Sequence, residues 1–259
     1  MKHIPILRAA VVVIAAGSLL GACRTHYVPS NISRTRLLVD HRYDGSPDAN
    51  DAVAYLQPLR ARVDSMMNPV VGRTARYLER GRPEGLLSNL LPDILMWASD
   101  RYGEHPDFAV YNYGGIRAAL PAGDVTIGDL LEVAPFENKI CFGTLSGTAV
   151  LELFRQFPLR GVHGVSHGVQ LVYDKQHQLV SAAINGKLVD AQDSYRFVTI
   201  DYLADGNDGL TAFTQKTDFV APSGPENNSR ELIADYFRHQ TAQGIVVDAK
   251  KEGRITIKP

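Results

Sequence analysis

Three short segments carry residue types suited to gripping a ligand: Asn112-Tyr113-Gly114-Gly115-Ile116-Arg117, Pro135-Phe136-Glu137-Asn138 and Asp205-Gly206-Asn207-Asp208-Gly209. Each stands at the end of an apolar, strand-like run. The glycines allow close backbone approach, and Asn112 and Arg117 are donors suited to ribose or phosphate oxygens. Asp208 sits on a glycine-framed loop, where its carboxylate can accept from ribose hydroxyls or position Arg117. Phe136 and Tyr202 each end an apolar segment, and two such rings can sandwich a flat base, at about 1–3 kcal/mol per stacked base. Taken singly, each piece has a plainer reading. The hexapeptide alone is a strand-to-loop turn with a surface arginine, and the two aromatics alone are ordinary core residues.

Other patterns dissolve on inspection. The Asp/Asn/Gly loop suggests calcium, but an EF-hand needs a glutamate twelve positions along, and the residue eleven after Asp205 is Lys216. Gly164-Val165-Ser166-His167-Gly168 matches the nucleophile-elbow pattern G-x-S-x-G. That elbow needs a strand before it and a helix after it, whereas a strand pattern follows here. His163 and His167 have the i, i+4 spacing of a helical metal pair, but Gly161, Gly164 and Gly168 argue against a helix there.

The elements that must position these segments follow from periodicity. Asp48 is placed to cap a helix from about Ala49 to Met67, with Val53, Leu56, Leu59 and Val63 on one face. Pro69 ends it, and residues 70–77 read as extended. A second helix fits Pro83 to Ser99, with Leu86, Leu90, Ile94 and Trp97 as its buried stripe and a kink or break expected at Pro92. Phe108 to Tyr113 is a strand running into the Gly114-Gly115 turn. Thr126 and Asp129 make a capping box for a short helix ending before Pro135. Lys139 to Leu145 is a strand, followed by a helix from Ser146 or Thr148 to Phe157. Gln170–Tyr173 and Leu179–Ile184 form a hairpin pair, with Asn185-Gly186 turning into Lys187–Val189. Tyr195 to Tyr202 reads as a central strand, Ser229 to Thr241 as a last helix, and Arg254 to Lys258 as a closing strand. Hairpins mixed with helices give an α+β fold, a mixed sheet with flanking helices.

In order and spacing, the three segments resemble the C-terminal, substrate-binding domain of the 5'-nucleotidase/UDP-sugar hydrolase family, whose motifs read N-x-G-G-I-R, P-F-x-N and an aromatic-L-A-x-G-x-D-G. The resemblance runs from about Asp48 to Ile257. It implies that Phe136 and Tyr202 stack on the base, and that Asn112, Arg117 and Asp208 contact the nucleoside and its phosphates. Asn207 departs from the family's usual glycine, a mild change because Asn tolerates left-handed backbone. The family arginine before the second helix matches Arg82 with an offset of one, and Arg80 rivals it. Hydrolysis in this family depends on two metals held by Asp, His and Asn in a separate N-terminal domain. The sequence contains no D-x-H, G-N-H-[DE] or G-H-x-H, and Asp40-His41 is adjacent rather than spaced. The expectation is a nucleotide-binding half without catalytic residues or cofactor of its own, working with a separately encoded metallophosphoesterase that carries a divalent metal pair. An envelope protein that only captures nucleotides or nucleotide sugars, and a degenerate structural module, stay open as alternatives.

Residues 1–23 read as a lipoprotein signal. Lys2 and Arg8 precede a short apolar stretch, and Leu20-Gly21-Ala22-Cys23 reads as a lipobox in which Cys23 takes the acyl chains, the alternative being a plain secretory signal with an incidental cysteine. Residues 24–47 read as a polar tether and 48–259 as the domain, held to a bacterial envelope membrane by lipid. Cys141 is the other cysteine, so no internal disulfide framework is expected and the core carries stability. With 27 basic against 28 acidic residues, the chain lacks the positive excess of a general nucleic-acid binder.

Overall fold

The computed structural model describes residues 50–160 and 163–258. Cys23, the signal segment and the tether lie outside the described residues. Helix α1 (Asn50–Met67) leads into strand β1 (Val70–Thr74), and helix α2 (Leu86–Ser99) precedes β2 (Phe108–Tyr111). Strand β3 (Gly123–Thr126) pairs antiparallel with β1 and runs into α3 (Ile127–Val133). The capping box is present: the Thr126 hydroxyl accepts from the Asp129 N–H, and the Asp129 carboxylate accepts from the Thr126 N–H. Strand β4 (Ile140–Ser146), helix α4 (Gly147–Arg160) and the short β5 (Gly164–Val165) follow. Next come β6 (Val169–Tyr173), β7 (Leu179–Ile184), β8 (Lys187–Leu188) and β9 (Ser194–Ile200). One-turn helix α5 (Asp201–Ala204), β10 (Thr217–Val220), α6 (Ser229–Ala242) and β11 (Ile255–Ile257) complete the chain.

These strands form an α+β architecture of mixed sheets with flanking helices. The largest sheet has the order β10-β4-β9-β2-β5, and a second has the order β11-β6-β7-β8. In the first, β2 runs parallel to β9 while β4 runs antiparallel to it. Its central strands are apolar on both faces because helices and loops cover them. Phe108, Val110, Phe142, Phe197 and Val198 have no exposed surface, and Cys141 is equally buried with its thiol pushed out of reach of ionisation by desolvation. The Asn185-Gly186 turn forms as expected, with φ of 50° and 78°, the left-handed pair that a tight hairpin requires.

Pro92 does not break its helix. Helix α2 runs continuously through it, with Pro92 buried. The ring removes the N–H that the Ser88 carbonyl would have accepted, and that carbonyl lies against Gly164, where a Cβ would collide with it. Strand β5 thus packs closely on the helix beside the proline.

The apolar stripe of α1 is present but faces water. Val53, Leu56, Leu59 and Val63 are at least half exposed.

Candidate functional site

The topology brings three distant segments to one end of the central sheet. Because β2 and β9 are parallel neighbours, with Phe108 opposite Phe197, their C-terminal ends lie side by side. Asn112 follows the first of these ends and Tyr202 the second. Strand β4 is antiparallel, with Ile140 opposite Ile200, so the residues preceding it reach the same edge. Phe136 and Asn138 lie there. A cavity of about 330 Å³ opens at this edge, lined by Asn112, Gly114, Arg117, Phe136, Asn138, Tyr202 and Asp208.

Asn112 is 5% exposed. Its Nδ2 lies 3.4 Å from Asp208 Oδ2, while its Oδ1 is buried without a partner. A buried acceptor left unpaired costs about 1–3 kcal/mol, which a donor on a ligand recovers. Gly115 keeps that oxygen in place, since a Cβ at Gly115 would collide with it.

The carboxylate of Asp208 is aimed by its backbone. At φ 55° and ψ 19° it occupies the left-handed region inside a 3-10 turn, between Gly206 at φ 83° and Gly209 at φ 77°. The Tyr202 hydroxyl donates to its Oδ1 at 2.9 Å. Asn207 then explains its own departure from glycine: its Nδ2 donates to the Tyr202 carbonyl at 2.8 Å and ties the loop to the aromatic.

Phe136 is 46% exposed and Tyr202 38%, so neither ring is a core residue. The Phe136 loop is anchored from behind by the start of α6. Arg230 donates to the Ala134 carbonyl at 3.1 Å and to Glu137 at 2.9 Å, and the Asn138 carbonyl accepts from the Ser229 N–H at 2.8 Å. The Arg230 hydrogen bond holds the Glu137 carboxyl below the usual carboxylate range. A rigid mount with an exposed aromatic is the arrangement of a stacking platform.

Arg117 stands at the mouth, exposed, and also lines a second hollow of about 260 Å³ with Arg80 and Tyr113. Arg82 does not line the first cavity. Its guanidinium packs on the Tyr113 ring, 4.1 Å from the centroid, and that of Arg80 lies 4.7 Å from the same centroid. Arg80 further donates to the Tyr113 and Ile116 carbonyls, at 3.2 and 2.8 Å. Three arginines thus gather beside one rim of the cavity, a setting that attracts anions.

Sequence reasoning assigned no contact to Asn138, although it closes the Pro135–Asn138 motif. Its side chain lines the cavity at half-buried depth. His163, weighed from sequence only as half of a metal pair, is 3% exposed, packs edge-on to Phe157 at 5.2 Å and has both ring nitrogens buried without a partner. Burial pulls its pKa down to about 4, opposed by the nearby Asp208 carboxylate and reinforced by Arg82.

The i, i+4 histidine spacing brings nothing together. His167 is exposed and pairs with Glu252 at 3.0 Å, away from buried His163. Ser166 is wholly buried with its hydroxyl accepting from the Ala109 N–H at 2.9 Å, so the G-x-S-x-G match is structural. Among the described residues no three His, Cys, Asp or Glu side chains converge to hold a metal ion.

The sequence matches the family described as "5'-nucleotidase, C-terminal domain" over residues 68–215. Protein UshA of Escherichia coli (strain K12) is 29% identical over 174 residues, covering 65% of this chain and 31% of that protein. Cell wall protein Lmo0130 of Listeria monocytogenes serovar 1/2a is 26% identical over 238 residues, covering 82% of this chain and 30% of that protein. The chain therefore spans about a third of the length of these curated relatives. Among solved structures, the 5'-nucleotidase precursor from Thermus thermophilus superposes with a TM-score of 0.66 at 25% identity, over 81% of this chain and 43% of that one.

Proposed function

Since this chain belongs to the 5'-nucleotidase family by way of that family's C-terminal domain, we propose that it holds the nucleotide for phosphate-ester hydrolysis. The metal-bearing half is then supplied by a separate metallophosphoesterase polypeptide. The observation that carries this reading is the shared cavity. Five residues singled out from three distant segments, Asn112, Arg117, Phe136, Tyr202 and Asp208, line one space of about 330 Å³, a volume suited to a small ligand.

Each group has a task on this reading. Phe136 and Tyr202 hold the base, and Asp208 takes ribose hydroxyls. Asn112 Oδ1 and the Asn138 amide face donor and acceptor groups of the nucleoside, and Arg117 with Arg80 and Arg82 draws the phosphates to the rim. The chain's contribution is binding and orientation. No proton transfer or nucleophile is assigned to its residues, and the metal pair, held elsewhere, supplies the activated water. One relative is named a cell wall protein. With the lipobox cysteine, this supports placement at the cell envelope, anchored through acylated Cys23. Among the described residues no helix is long and apolar enough to cross a membrane.

Base, ribose and phosphate contacts are all assigned here to residues of this chain, which favours a second reading: nucleotide capture for uptake without chemistry. Calorimetry with a nucleoside monophosphate, followed by a phosphate-release assay with added divalent metal, separates the two. The expected result is binding without release above background, and turnover once a metallophosphoesterase half is added. Binding with no turnover on that addition favours capture. Robust, chelator-insensitive hydrolysis by this chain alone overturns the proposal.

A further inference from the structure

Helix α1 exposes an apolar seam along its length. Val53, Leu56, Leu59, Val63 and Met66 each leave between 50% and 55% of their surface in water, and Val70 just beyond the helix leaves 56%. Leu56, Leu59, Val63 and Met66 recur at spacings of three and four, the seam of packed helices. An 18-residue helix is about 27 Å long and marginal on its own in water, so it gains most of its stability from whatever covers its apolar face.

A second copy is a poor cover. The seam runs for two heptads, short of the roughly three to four that sustain a coiled coil, and Pro58 interrupts the helix's hydrogen bonding midway. The position of α1 points elsewhere. The matched C-terminal domain begins at residue 68, directly after the helix. In the Listeria relative the aligned stretch covers 82% of this chain, and no unbroken stretch of that size avoids residues 50–67. Yet it makes up only 30% of that longer protein. The seam thus immediately precedes the matched domain, which the family's description places at the C-terminal end of longer proteins.

We propose that the α1 seam is the docking surface for the metallophosphoesterase half, held here without a covalent link. This rests on the reading under Proposed function that such a half works with this chain. Docking there brings the metal site and the nucleotide cavity into one assembly and removes five apolar side chains from water.

The test places a photo-crosslinking phenylalanine analogue at Leu59 of the full chain, in the cells that make it. The same analogue at Leu188, 73% exposed on β8, serves as the control. The expected adduct at Leu59 contains peptides of a protein bearing D-x-H, G-N-H-[DE] and G-H-x-H clusters, with none at Leu188. Adducts only with a second copy, only with proteins lacking those clusters, or not at all overturn the proposal. A Leu56→Asp/Val63→Asp double variant is expected to bind the purified metallophosphoesterase half at least tenfold more weakly while binding nucleotide as before, since neither side chain lines the cavity. Unchanged affinity for that half overturns the docking surface even where the half restores hydrolysis. An adduct without restored hydrolysis keeps the docking surface and sinks the split enzyme.

Discussion

Two polar clusters sit in this domain, and they are built in opposite ways. Around Arg254, every charge is answered. The guanidinium is 5% exposed, makes a two-pronged pair with Asp93 at 2.7 and 2.9 Å, and also donates to Glu252 at 2.9 Å and the Val165 carbonyl at 2.7 Å. Buried Glu84 beside it accepts from Asn89 and from the N–H groups of Glu252 and Gly253. A hollow of about 370 Å³ opens there, larger than the cavity beside Asn112 and Asp208. That cavity instead leaves Asn112 Oδ1 unpaired, holds Asp208 in left-handed backbone and exposes two aromatics. Size does not mark the site. Exposed aromatics, left-handed backbone and an unpaired amide oxygen together do, the combination that the Arg254 cluster lacks.

The contrast predicts that the two clusters fail differently. Arg254→Met strips Asp93 and Glu252 of their shared cation and is expected to destabilise the fold by about 3 kcal/mol. That is the low end for breaking a buried ion pair, because Asp93 and Glu252 retain about a third of their side-chain surface in water. Denaturant titration checks it, and nucleotide affinity of the remaining folded protein should stay unchanged. A variant that keeps its stability but loses affinity would reverse the assignment of the two clusters.

His163 tests the boundary between them, being unpaired like the site yet shielded like the core. Its pKa is near 4 folded against 6.5 as the reference. The unfolded chain therefore binds a proton that the folded one refuses. Stability from this group is full above about pH 6.5 and is lost as pH falls toward 4, a change on the order of 2–3 kcal/mol. Thermal melts at pH 7 and pH 4.5 should diverge less for His163→Leu than for the parent chain. An identical pH response in both would show that the histidine finds a partner when protonated.

How much of this was legible depends on the range of the interaction. Local chemistry read directly: the Thr126–Asp129 box, the Asn185-Gly186 turn and the glycine-framed Asp208 loop are all set by neighbours a few residues apart. The pairing of β1 with β3 and the edge strand β10 were not foreseen, because their partners lie far along the chain and their own pattern is weak. Strand β10 is exposed throughout. Pro92 misled because the helix around it is buried, and tertiary packing from residues far along the chain overrides the local preference to break. Arg82 was placed among the ligand contacts by its position before α2, whereas the structure rests it on Tyr113. The exposed seam of α1 was visible as a stripe, but periodicity says which residues share a face and not what that face meets.

Within the cavity, Phe136→Ala removes one wall of the base clamp and should weaken nucleotide binding by about 1–3 kcal/mol, roughly 5- to 150-fold. Because Phe136 is 46% exposed, the melting temperature should barely move. Loss of stability matching loss of affinity would make Phe136 a packing residue and dissolve the contrast with Arg254.

The smallest expected effect belongs to Asn138, and it is the sharpest probe of how the base edge is read. Its backbone carbonyl is already committed to the Ser229 N–H, so the loop stays anchored when the side chain is cut back. Only the amide facing the cavity is removed by Asn138→Ala. A single neutral hydrogen bond to a ligand is worth about 0.5–1.5 kcal/mol, so affinity should fall a few-fold for a nucleotide whose base edge engages it. The informative measurement is a comparison across nucleotides by calorimetry. If the amide reads the base edge, the loss differs between purine and pyrimidine nucleotides and flattens the preference of the parent chain. An equal loss for every base would move Asn138 from the base to the ribose. Unchanged affinity for all of them would leave base selection to the stacking pair and to the orphaned oxygen of Asn112.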